Sequence, residues 1–60
     1  MASNHTQILN YFEKNGSVRT GRLLMAFPEL PWNAINEVIL ELRGSGIIHP
    51  VRGYGWVLNA

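Results

Sequence analysis

Apolar residues recur along this chain in clusters set apart by polar residues, glycine and proline. The clearest lies between Leu30 and Ile48. There Ile35, Val38, Ile39 and Leu42 fall at i, i+3, i+4 and i+7, the stripe that one face of an α-helix buries. The pattern predicts a helix over about 31–43. Pro31 suits its first turn, where a missing N–H costs nothing. Gly44 and Gly46 stand where a helix ends, because glycine tolerates the left-handed cap conformation. Upstream, Ile8, Leu9 and Phe12 mark a first helix from Ser3 or Asn4, with Tyr11 on its flank. Asn4 with Gln7 resembles a capping box, and Asn15-Gly16 stops the helix.

Ser17-Val18-Arg19 reads as a brief strand with Val18 inward. A short second helix follows over about 21–27, with Thr20 as its N-cap and Leu23, Leu24 and Phe27 as its apolar face. Pro28-Glu29-Leu30-Pro31 must break it, since each proline pushes the preceding residue out of the α region. Leu30 is placed to pack back as a hydrophobic staple. After the third helix, 47–51 and 56–58 read as strands joined at Arg52-Gly53-Tyr54-Gly55, with Gly53-Tyr54 as a two-residue hairpin loop. Pro50 lacks a ladder donor and belongs on an outward-facing edge. The expected core is Ile8, Phe12, Val18, Leu23, Leu24, Phe27, Ile35, Val38, Ile39, Leu42, Ile47, Trp56 and Val57.

The order is therefore helix, short strand, helix, tight turn, helix, β-hairpin, an α+β layout. In this the chain resembles the winged helix-turn-helix family of DNA-binding domains over roughly residues 5–58. The likeness rests on Ile35-x3-Ile39-x2-Leu42-x3-Gly46-Ile47-Ile48, where that family leaves its third helix for the wing. It rests also on Gly16-x-Val18 ahead of Leu23-Leu24. The resemblance implies one winged-helix domain over 1–60, ordered over about 5–58. It implies a small transcriptional regulator whose third helix enters the major groove of double-stranded DNA.

Composition bears on that reading. Sixty residues allow one small domain, which buries only about 60% of its unfolded surface. Hydrophobic residues at 47% and charged residues at 15% argue against disorder. The chain has no cysteine, so neither disulfides nor a thiolate zinc site is expected. It has no apolar run long enough for a membrane span, and its first residues lack the pattern of a signal peptide. The expectation is a cytoplasmic protein with no membrane partner. Net charge is only +1, which does not by itself announce nucleic acid.

The outward face of the third helix carries Asn33, Glu37 and Leu40, flanked by Asn36 and Glu41, with Trp32 and Arg43 to one side. The Asn33 and Asn36 amides suit adenine, Glu37 can accept from cytosine N4, and Leu40 can touch a thymine methyl. Trp32 either stacks on the proline turn or projects toward a ligand. Glu37 and Glu41 repel phosphate, and no lysine offsets them. The cations lie elsewhere: Arg19 and Arg22 at the second helix, Arg43 closing the third, Arg52 on the wing beside Tyr54. Thr20 and the N–H groups of the second helix would add anion contacts.

Specificity from so few phosphate contacts calls for a homodimer or another regulatory protein. The alternative is a protein–protein interaction module of the same fold. Catalysis is not expected. There is no aspartate, and Ser3, Ser17 and Ser45 sit at helix ends or turns. His5 and His49 each lack a spaced second ligand, and no cofactor motif is present.

Overall fold

The computed structural model describes residues 3–59; Met1, Ala2 and Ala60 of the expected 1–60 domain lie outside the described residues. Three helices and a three-stranded antiparallel sheet follow one another as α1 (Asn4–Asn15), β1 (Ser17–Val18), α2 (Thr20–Ala26), α3 (Trp32–Gly44), β2 (Ile48–Val51) and β3 (Gly55–Leu58). This is the α+β layout of a small winged helix. α2, the turn after it and α3 make the helix-turn-helix, and β2 with β3 form the wing.

Local chemistry accounts for the element ends, with some differences from expectation. Ser3 caps α1: its Oγ accepts from the Thr6 N–H at 3.2 Å. The N-cap is therefore Ser3 rather than the expected Asn4, because Asn4 is already helical. Gly16, at φ 78°, ends α1 and donates to the Phe12 carbonyl at 2.7 Å. In α2, Arg19 occupies the N-cap position without a side-chain capping bond and Thr20 is the first helical residue, so Thr20 is not the cap. The turn closes through Leu30 N–H to the Phe27 carbonyl at 3.1 Å, and Pro31 is the N-cap of α3 rather than its first residue.

The end of α3 sets the phase of the wing. Ile47 N–H reaches back to the Leu42 carbonyl at 2.9 Å, and Gly46 N–H to Arg43 at 3.0 Å, with Gly46 at φ 75°. These are the two bonds of a Schellman motif. Ile47 thereby becomes the half-buried residue after the cap, and Ile48 takes the core position at 1% exposure. The expected assignment of Ile47 to the buried core is corrected to Ile48.

In the sheet, β3 lies between β1 and β2. Asn59 N–H donates to the Ile47 carbonyl at 2.8 Å, and Ile48 faces Leu58. Alternation along an antiparallel ladder then puts Pro50, opposite Trp56, in a non-hydrogen-bonded pair. Its nitrogen faces out of the open edge, which leaves a gap in the donor row and blunts strand addition there. Val51 pairs with Gly55, so the hairpin loop has three residues, Arg52 to Tyr54, not the expected two. Tyr54 N–H closes it onto the Val51 carbonyl at 3.0 Å, with Gly53 at φ 87° in the turn position that requires a positive φ.

Ile8, Phe12, Val18, Leu23, Ile35, Val38, Ile39, Leu42 and Ile48 make up the core, which joins α1, α2, α3 and the sheet. Phe27 and Trp56 pack against it half-buried, and Val57 is also half-buried. Leu24, expected inside, is 41% exposed. α2 is only seven residues long, and its buried face is narrow enough for Leu23 alone. No described helix is long and apolar enough to cross a membrane.

Candidate nucleic-acid interface

α3 turns its stripe of Ile35, Val38, Ile39 and Leu42 inward, against α1, α2 and β2. Rotation by 100° per residue leaves Asn33, Glu37 and Leu40 at the centre of the opposite face. All three are exposed, Asn36 is half-buried, and none of these polar side chains has a hydrogen bond or ion pair among the described residues. The two flanks differ in charge. On the wing side the Arg43 guanidinium lies over the Trp56 ring, 5.7 Å from its centroid, and Trp32 is 47% exposed on the same edge. On the α1 side Glu41 meets His5 at 3.9 Å, an ion pair only when the imidazole is protonated. The arrangement offers amide forks and one carboxylate to a ligand, with its only cation at the wing edge.

A second constellation forms where α1, β1, α2 and the wing turn converge. They enclose an open cleft of about 680 Å³ whose lining includes Tyr11, Arg19, Arg22, Met25 and Tyr54. Arg19 and Arg22 thus come together with Tyr54. Arg19 also holds the structure together: its Nη2 donates to the Gly53 carbonyl and ties the start of α2 to the wing turn. The wing seats tightly there. A Cβ on Gly55 would lie 2.8 Å from Arg19 Cα and 2.9 Å from the Val18 carbonyl oxygen, and the residue has φ 80°. No side chain but hydrogen fits that approach.

Of the other expected site residues, Arg52 is exposed in the wing turn but does not line the cleft. Thr20 is half-buried in the first turn of α2, away from the cleft lining. Tyr11, Asn15, Ser17 and Met25 line the cleft as well, and none of the four was expected to contact DNA. The sequence signals only that they lie off the apolar stripes. Tyr11 is held by an edge-on contact with Phe27 at 5.6 Å between ring centroids, and Asn15 Nδ2 donates to the Tyr11 carbonyl at 2.8 Å. No carboxylate lines the cleft. Among the described residues, no cluster of three potential metal ligands occurs.

Comparison with known proteins yields no match: no family model, no curated protein and no solved structure resembles the chain closely enough to count. The fold and the two constellations are therefore the whole basis for a functional reading.

Proposed function

We propose that this protein binds double-stranded DNA as a small cytoplasmic transcriptional regulator. The observation that carries the reading is the uncovered outer face of α3, with Asn33, Asn36 and Glu37 adjacent at helical spacing in a helix-turn-helix whose wing stands beside it. Asn33 and Asn36 would read adenine edges and Glu37 a cytosine amine. Arg22 and Arg52, unpaired with any carboxylate among the described residues, would hold phosphates, and Arg43 would add to them from the wing edge. Arg19 enters this scheme chiefly as the residue that positions the wing. A single copy would bind weakly, so a homodimer or a second regulatory protein would supply specificity. Neither enzyme chemistry nor a cofactor forms part of the proposal.

Titration of random-sequence duplex DNA at two salt concentrations tests it. Expected is binding at low salt with a slope in log K against log[salt] of about −2 to −3, for two or three neutralised phosphates. Arg22→Ala with Arg52→Ala should flatten that slope. No binding at low salt, or no effect of the double substitution, overturns the proposal.

One observation favours a second reading, an interaction module of the same fold. The outer face of α3 carries Glu37 and Glu41 but no lysine, and Leu40 and Trp32 are 56% and 47% exposed. That face would then meet another protein.

A further inference from the structure

The cleft between α2 and the wing turn is chemically unlike the face of α3. It brings two guanidinium groups, Arg19 and Arg22, together with two phenol rings, Tyr11 and Tyr54, and the thioether of Met25. It holds no carboxylate, and neither arginine has an ion-pair partner among the described residues. Arg19 uses one nitrogen for the Gly53 carbonyl, which leaves further N–H groups of its fork for a ligand. Met25 and Tyr54, at 78% and 64% exposure, stand among the most exposed large apolar side chains of the fold. At about 680 Å³ the cleft falls within the size range of small-molecule sites. Unneutralised cations beside exposed rings make a site for a ligand that is both anionic and flat.

We propose that this cleft binds one nucleotide unit. The phosphate lies on Arg22 and the free side of the Arg19 fork, and the base lies against Tyr54 and Met25. Guanidinium groups suit phosphate because their fork donates two parallel hydrogen bonds. An aromatic face suits any base, because every base offers a π-face. The ligand chemistry has two sources, a free nucleotide acting as an effector, or an unpaired nucleotide of a bound strand. The site does not depend on α3 reading a duplex, since none of the α3 residues lines it.

The experiment is an amide NMR titration of the labelled 60-residue chain with 5′-dAMP, deoxyadenosine, inorganic phosphate and the tetranucleotide (dA)4. Expected with dAMP are saturable shifts at Ser17, Gly21, Arg22, Met25, Gly53 and Tyr54, and weaker binding of nucleoside or phosphate alone by about tenfold. Tyr54→Ala and Arg22→Ala each replace an exposed side chain, so the spectrum of the remaining fold should persist while dAMP affinity falls about fivefold or more. Stronger binding of (dA)4 than of dAMP assigns the site to a strand; equal or weaker binding assigns it to a free nucleotide; both support it. Non-saturating shifts, shifts centred on α3, phosphate binding as well as dAMP, or unchanged affinity in Tyr54→Ala overturns it. Because the duplex titration reads phosphate contacts through Arg22 and Arg52 while Tyr54→Ala with dAMP reads the cleft, each proposal can fail without the other.

Discussion

Gly55→Ala is the substitution that best tests how the wing is held. Gly55 opens β3 at φ 80°, and an added Cβ would meet Arg19 Cα at 2.8 Å, the Val18 carbonyl oxygen at 2.9 Å and Arg19 Cγ at 3.0 Å. Gly53 provides its control, at φ 87° in the same turn but with no heavy atom within 4 Å of an added Cβ. Both alanines carry the left-handed backbone penalty of about 1–2 kcal/mol. Only Gly55→Ala adds a backbone clash, which must be relieved by shifting β3 away from β1 at a further cost of about 1–3 kcal/mol, as for overpacking elsewhere.

A chain of 60 residues has a net stability of only about 3–9 kcal/mol on the usual per-residue scale. The excess is therefore a large share of the whole. At about 4–8 °C per kcal/mol for a domain of this size, Gly55→Ala should melt roughly 5–20 °C below Gly53→Ala. Thermal unfolding followed by far-UV circular dichroism measures both. Equal melting temperatures, or a lower one for Gly53→Ala, would refute the seating of the wing on the β1–α2 junction.

The adjacent leucines of α2 should part company. Leu23→Ala empties a fully buried position and should cost about 2–5 kcal/mol in urea denaturation, whereas Leu24→Lys should stay within about 0.5 kcal/mol. Ser3→Ala removes the α1 cap and should lower stability by about 0.5–2 kcal/mol, with hydrogen exchange speeding at Thr6. Arg19→Met keeps an aliphatic stem against Gly55 but loses the donor to Gly53. It should cost about 0.5–1.5 kcal/mol and raise amide exchange at Tyr54, and an unchanged rate there would mean that the tie does not hold the turn.

Sequence periodicity predicted α3 well because four apolar residues on one face leave a helix only one way to turn. Its C-terminus was legible in kind through Gly46, but not in phase, and Gly44, expected to stop the helix, is its last helical residue. Which isoleucine goes inside depends on the two backbone bonds that Ile47 and Gly46 make to Leu42 and Arg43. The hairpin was likewise legible from Gly53 and Gly55, but its loop length was not. Gly53-Tyr54 satisfies a two-residue rule equally well, and the pairing of Val51 with Gly55 decides between them. Leu23 and Leu24 are alike in type and neighbours in the chain, so a helix of seven residues carries too little period to say which is buried.

The candidate sites divide along the same line. Asn33, Asn36, Glu37 and Leu40 follow from the buried stripe by rotation alone, because the face opposite a packed stripe is open whatever it packs against. The arginines do not follow from any local pattern. Arg19 ties the wing turn, Arg43 lies over Trp56, and Arg22 joins Tyr11, Met25 and Tyr54 in a cleft. These side chains are long, and the partners of Arg19 and Arg43 stand 34 and 13 positions away in the chain. Local spacing determines which residues face outward on a helix. What an outward residue meets is set by how the helices and sheet close on one another, which only the tertiary structure decides.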